Sequence, residues 1–140
     1  METSTINSTV ANWRDTRRLC YARSVRPRVL VVDDDRDFCE MMAQLLRSEG
    51  FETDVASNGQ DALDKAHANP PRVIVLDMAM PVMDGWAFRA HQRYCVTLCA
   101  VPVVVLSGVA PERLRNVGAA AAFQKPFQKD EFIAAIRAHC

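Results

Sequence analysis

At 140 residues, 49% hydrophobic and 24% charged, the chain is long enough for one domain with a proper core and ordinary for a globular protein. Lysine plus arginine and aspartate plus glutamate both number 17, so bulk charge does not point to nucleic acid, membrane or acidic substrates. The longest apolar runs are far short of a membrane helix and the N-terminus lacks the apolar centre of a secretory signal, so a cytoplasmic protein is expected.

In chain order, residues 1–26 are rich in Ser, Thr, Asn and Arg, with too few large apolar anchors for an independent core. They read as a flexible basic tail, with a short helix able to start near Asn12. Residues 1–28 hold six arginines against Glu2 and Asp15, net +4, which leaves the remaining 112 residues at −4. The folded domain is expected over 27–140. Val29 to Val32 is a buried-strand run that ends in Asp33-Asp34-Asp35. Phe38, Met41, Met42, Leu45 and Leu46 recur at helical spacing, and Gly50 follows the last turn, which predicts an amphipathic helix over 36–49. Phe51 to Ala56 is a strand, and Ser57-Asn58-Gly59 turns into a helix over 59–68 that Asn69-Pro70-Pro71 stops.

The run 73–76 then reads as a buried strand ending on a single carboxylate, Asp77, and Pro81 with Asp84-Gly85 makes the following segment a loop. A third helix covers 86–94, with Trp86, Phe88 and Ala90 among its candidate buried positions. Val101 to Leu106 is a further strand, ending at Ser107-Gly108. Residues 111–117 have room only for a short fourth helix. Ala119 to Gln124 is a fifth strand closing on Lys125-Pro126, and 130–139 is a last helix with Phe132, Ile133 and Ile136 inward.

Five strands alternating with five helices predict a doubly wound α/β fold, a parallel sheet covered on both faces. Ligands of such sheets gather outside the carboxyl ends of the strands, which brings together Asp33, Asp34, Asp77, Ser107 and Lys125. Clustered carboxylates repel unless protonated or bridged by a cation, and oxygen-only donors suit a hard ion, Mg²⁺ above all. A lysine and a hydroxyl beside that ion build a socket for a phosphoryl group, and Asp77 is the carboxylate best placed to be the nucleophile. Taken singly each residue has a plainer explanation: Asp33 to Asp35 as a helix-capping cluster, Asp77 as a cap or turn, Ser107 as a turn, Lys125 as a surface lysine. Their joint occurrence at the strand ends of one sheet is what argues for a site. Five cysteines, Cys20, Cys39, Cys95, Cys99 and Cys140, show no C-x-x-C pair and no histidine at zinc-ligand offsets, and read as reduced, mostly structural thiols.

With VLVVDDD at 29–35, VIVLDMAMPVMDG at 73–85, VVVLSG at 103–108 and KPF at 125–127, residues 28–139 resemble the receiver domain of bacterial two-component response regulators. The resemblance implies a flavodoxin-like sheet of order 2-1-3-4-5. It implies that Asp77 accepts a phosphoryl group from a phosphohistidine on a sensor histidine kinase or phosphotransfer protein. Asp34, Asp77 and the backbone carbonyl of Ala79 would then ligate Mg²⁺, with Asp33 acting mainly through water. Lys125 would pair with phosphoryl oxygens, Ser107 would hydrogen-bond to them, and the Lys125–Pro126 bond would be cis. The module would be no enzyme beyond its own phosphorylation and dephosphorylation.

Three departures from the family pattern bear on signalling. Ala122 stands where an aromatic residue or histidine usually swings inward, while strand alternation makes Phe123 a core residue. Gly118 comes only eleven positions after Ser107, about one helical turn fewer than is customary. Ala79 and Val109 carry no group able to orient a hydrolytic water, which predicts slow self-dephosphorylation. Because Cys140 follows the last helix and the leading residues are too few for an output domain, output is expected through protein contacts, with homodimerisation left open and no direct DNA binding or membrane partner expected. Two alternatives compete: a degenerate receiver serving as a constitutive adaptor, and an aspartate-nucleophile phosphatase built on Asp33-x-Asp35. A flavin-binding fold is disfavoured because carboxylates would face the flavin phosphate.

Overall fold

The computed structural model describes residues 26–115 and 117–140. The expected flexible tail, its helix near Asn12 and Cys20 lie outside the described residues. Ten elements follow in order: β1 Arg28–Val32, α1 Arg36–Ser48, β2 Glu52–Ala56, α2 Gly59–Ala68, β3 Val73–Leu76, α3 Gly85–Arg93, β4 Val103–Ser107, a 3-10 turn Pro111–Leu114, β5 Ala121–Gln124 and α4 Lys129–His139. The sheet is parallel throughout and its order is β2-β1-β3-β4-β5, as expected.

Each expected strand is present, with ends shifted by a residue or two. The expected fourth helix differs in kind: the short segment after β4 closes a single 3-10 turn, entered through Pro111. The other four helices are α-helices, and the starts of α1, α2 and α3 are set by side chains already visible as turn formers, whereas Gln128 before α4 makes no side-chain cap bond. Asp35, Asn58 and Asp84 accept backbone N–H bonds from Phe38, Asp61 and Ala87, which satisfies donors that the first turn leaves unpaired. At the end of α1, Gly50 takes φ +97°, the left-handed value that the expected stop requires.

Alternation along the strands divides the core in two. Val29, Val31, Val73 and Val75 face α1 and α4, where they meet Met42, Leu46, Phe132 and Ile136. Leu30, Val32, Ile74 and Leu76 face the other way, against Ala62, Ala66 and Phe88 of α2 and α3. β3 is buried on both faces because it lies at the centre of the sheet. Two helical positions depart from expectation. Met41 is 46% exposed while Cys39 and Ala43 are buried, so the inward stripe of α1 lies to one side of the one expected. Ala90 is exposed, and Gln92 is buried instead. Two residues are about 200° around a helix, so Ala90 must face away from the buried Phe88, whereas Gln92 is one turn further along the same face. Among the described residues no helix is long and apolar enough to cross a membrane.

Candidate functional site

The carboxyl ends of β1, β3, β4 and β5 bring the expected residues together because the sheet ladder continues past the strands. The Asp33 N–H donates to the Ala56 carbonyl at 3.0 Å and the Asp77 N–H to the Val32 carbonyl at 2.9 Å. The Lys125 N–H donates to the Ser107 carbonyl at 3.0 Å. These bonds fix the backbone beneath each functional side chain, so the site is held by the same hydrogen bonds as the fold.

One carboxylate oxygen each of Asp33, Asp34 and Asp77 lies within 4.8 Å of the others. Asp33 is 3% exposed and Asp77 is 7% exposed, whereas Asp34 is exposed. Asp35 does not join them: its carboxylate caps α1, so the capping explanation holds for that residue alone. The Lys125 Nζ donates to Asp33 Oδ2 at 2.6 Å and lies 4.1 Å above the ring of Phe38. Asp33 Oδ1 accepts from the Asp35 N–H at 2.9 Å, which turns the carboxylate inward.

On Asp77, Oδ1 accepts from the Ser107 hydroxyl at 2.8 Å and from the Ala79 N–H at 3.4 Å. Among the described residues Oδ2 accepts no hydrogen bond from the protein, which leaves its lone pairs open. Burial is the largest influence on the Asp77 carboxyl and raises its pKa above the ordinary aspartate value. The Ser107 hydrogen bond opposes that rise, the Asp33 charge adds to it, and the Lys125 charge opposes it. Ser107 Oγ in turn accepts from the Val109 N–H at 3.3 Å, so the backbone after β4 is tied to the aspartate through one hydroxyl.

The loop from Asp77 to Gly85 is close-packed. The Gly85 N–H donates to the Met78 carbonyl at 3.0 Å, and a Cβ at Gly85 would stand 2.6 Å from Met78 Sδ and 2.8 Å from the Asp77 carbonyl oxygen. Val82 has φ +67°, a left-handed conformation that a β-branched residue enters only with strain, and is 85% exposed. The acidic cluster opens onto a groove of about 650 Å³ between α1 and α2, whose lining includes Arg36, Ser57, Asp61 and Lys65.

Several features were not marked as site residues in the sequence. Phe38 lies beneath Lys125, a contact that no spacing predicts because the two are 87 positions apart. Cys39 donates its thiol to the Asp33 carbonyl at 3.2 Å, and burial, with the Asp33 and Asp35 charges, pushes it up to about 11, so it is an inert structural thiol. On the far side of β4 the 3-10 turn leaves an opening that α3 fills with arginine. Arg89 donates to the carbonyls of Val117 at 3.1 Å and Gly118 at 3.0 Å, Arg93 reaches Val117 at 3.4 Å, and Arg113 lies 5.3 Å from the Trp86 ring. Ala122 is exposed and makes no part of the site; Phe123 packs inward against Phe132 with ring centroids 5.8 Å apart, as alternation predicts. The Lys125–Pro126 peptide is cis.

A family model for the response regulator receiver domain matches residues 29–137. The transcriptional regulatory protein PrrA of Mycobacterium tuberculosis is 41% identical over 120 residues, covering 80% of this chain and 49% of its own length. The chain therefore spans about half of the curated relatives it matches. Among solved structures, the chemotaxis response regulator CheY4 of Vibrio cholerae superposes with a TM-score of 0.75 at 29% identity, covering 82% of this chain and 99% of that one. The receiver domain of a Pseudomonas aeruginosa sensor histidine kinase, described with a magnesium ion coordinated in its active site cleft, has a TM-score of 0.76 at 23% identity. It covers 81% of this chain and 97% of its own and shares the fold.

Proposed function

The chain belongs to the response regulator receiver family, and from that premise we propose that it is a phosphorylation-controlled signalling module whose phosphoryl acceptor is Asp77. The observation that carries this reading is the asymmetry of the Asp77 carboxylate: one oxygen is held by Ser107 and Ala79, and the other is open beside a carboxylate pair and a lysine. A nucleophile needs that arrangement, with its orientation fixed and one lone pair unengaged.

The donor set fits a hard divalent cation, since it consists of carboxylate oxygens that otherwise only repel one another. Asp34, Asp77 and the Ala79 carbonyl would hold Mg²⁺, with Asp33 acting through water, and the ion would neutralise phosphoryl oxygens during transfer. The chain's own groups do the rest. Asp77 Oδ2 attacks phosphorus as the bond from phosphorus to the donor's imidazole nitrogen breaks, giving an acyl phosphate and a free imidazole. Lys125 turns from Asp33 toward the new phosphoryl oxygens, and the Ser107 hydroxyl, no longer required by the carboxylate, donates to one of them. Because Val109 is bonded to that hydroxyl, its movement draws the backbone between Ser107 and Pro111 with it.

A phosphohistidine of a sensor kinase or phosphotransfer protein is the donor this reading expects. An apolar groove of about 450 Å³ adjoining Lys125, lined by Phe38, Met41, Pro126 and Phe127, supports a protein rather than a metabolite as the docking partner. Ala79 and Val109, which flank the site, carry no group able to orient an attacking water, and the acyl phosphate should outlast seconds. The test is incubation with Mg²⁺ and acetyl phosphate followed by intact mass. One added phosphoryl group that disappears in Asp77→Asn is expected. No adduct would favour the constitutive adaptor, and an adduct that survives Asp77→Asn but is lost in Asp33→Asn would favour the phosphatase.

A further inference from the structure

At the opposite rim of the sheet, where chains enter β3 and β4, a cysteine and a histidine face each other across two elements. Cys95 Sγ lies 3.8 Å from Nε2 and 4.0 Å from Nδ1 of His67, which stands in the last turn of α2. It also lies 3.3 Å from the Thr97 hydroxyl. Cys99 is exposed four residues on, and its N–H donates to the Cys95 carbonyl at 2.8 Å. That bond closes a helical turn, in which the two Cβ atoms stand about 5–6 Å apart, beyond the roughly 3.5–4.5 Å that a disulfide takes, and the Cys99 thiol donates to the Val96 carbonyl at 3.7 Å, so a bridge to Cys95 requires this turn to open.

The loop that presents this group is built rather than frayed. The buried Gln92 side chain donates from Nε2 to the carbonyls of Leu98 and Val101, each at 2.9 Å, and its Oε1 accepts from Arg89 at 2.6 Å. Leu98 is fully buried beneath the turn, so Cys95 is held against His67 by the core. Cys39 is buried, whereas Cys95 is half-buried and Cys99 exposed. His67 is the titratable group that the neighbouring helix presents to Cys95; its other polar surroundings are the Thr97 hydroxyl and the N–H groups of Thr97 and Leu98. The hydrogen bond to the Thr97 hydroxyl is the chief cause of a thiol pKa below the ordinary cysteine value. A resting metal site is a poorer reading, since among the described residues His67, Cys95 and Cys99 do not gather their ligand atoms as Asp33, Asp34 and Asp77 do.

We propose that Cys95 is a peroxide-reactive thiol activated by His67, with Cys99 as its resolving cysteine, which gives the domain an oxidation site separate from Asp77. His67 takes the thiol proton, and the Cys95 sulfur attacks one peroxide oxygen. The S–O bond forms as the O–O bond breaks, sulfur is oxidised by two electrons to a sulfenic acid, and the leaving hydroxide takes the proton back as water. The Cys99 sulfur then attacks the Cys95 sulfur. An S–S bond replaces the S–O bond and a second water leaves.

The test treats the reduced full chain with substoichiometric hydrogen peroxide and maps every cysteine by peptide mass. The expected result is a Cys95–Cys99 disulfide forming about tenfold faster than oxidation of the other cysteines. In Cys99→Ser, a sulfenic acid trapped by dimedone should accumulate on Cys95. In His67→Asn, the rate-against-pH curve for Cys95 should move to higher pH. Oxidation spread evenly over the cysteines, first oxidation at Cys99, or a His67→Asn curve that superimposes on the wild type would each overturn the proposal.

Discussion

Along the β1–β3 half of the strand-end rim, Asp33 and Asp77 are buried and each is held by backbone and side-chain bonds together. Along the β4–β5 half, Ala120, Ala122 and Gln124 are exposed, and one 3-10 turn packs where a helix would otherwise cover the sheet. The first half is rigid and carries charge; the second is thin and is braced by arginines reaching across from α3. The difference teaches that chemistry and its readout are constrained separately. Phosphoryl transfer needs a few atoms fixed at short range, whereas signalling needs an element with two arrangements of similar energy.

Substitutions that strike the rigid half should cost most. Gly85→Ala places a Cβ against Met78 and the Asp77 carbonyl, and should destabilise the fold by about 3 kcal/mol in denaturant unfolding. The clash involves backbone, so it should also lower phosphoryl acceptance. In the thin half, Arg89→Ala removes donors to the Val117 and Gly118 carbonyls and should cost about 1.5 kcal/mol while leaving acceptance at Asp77 intact. If both variants lost acceptance equally, the two halves would not be separable.

Charge at the site gives a prediction of opposite sign. Burial raises the Asp77 pKa above its unfolded value, so this group favours the folded state most fully below the unfolded pKa. That contribution is lost as pH rises through the folded pKa. Without Mg²⁺, Asp77→Asn should therefore raise Tm at neutral pH by about 3 °C, the shift of a roughly 1 kcal/mol gain in a domain of this size. The gain should fade as the solution is acidified, and a Tm difference independent of pH would contradict it. The smallest effect is expected at Val82, where Val82→Asn relieves a left-handed backbone and should stabilise by about 0.5 kcal/mol.

The strand-end site is also the most legible part of the chain. A buried run that ends abruptly on a polar or charged residue is visible in one dimension, and four such endings identify the rim of a parallel sheet without coordinates. Asp33, Asp34, Asp77, Ser107 and Lys125 were all marked in this way and all meet there. What stayed hidden depends on contacts between distant segments. Phe38 under Lys125, Arg89 on the Val117 carbonyl, and His67 beside Cys95 join residues with no sequence periodicity in common. The burial of Gln92 in place of Ala90 was hidden for a different reason. A buried glutamine is tolerable only because its amide is satisfied by the Leu98 and Val101 carbonyls, which residue type alone does not reveal. The shortness of the segment after β4 could be counted, but whether it would close an α- or a 3-10 turn could not.

The separation of chemistry from readout is tested most directly by amide hydrogen exchange on the full chain, before and after phosphorylation with Mg²⁺ and acetyl phosphate. The account predicts that the largest change falls on residues 107–111, with the Val109 amide altered as Ser107 leaves Asp77, while β5 around Ala122 exchanges as before. A change centred on β5, with the 107–111 backbone unaffected, would contradict it.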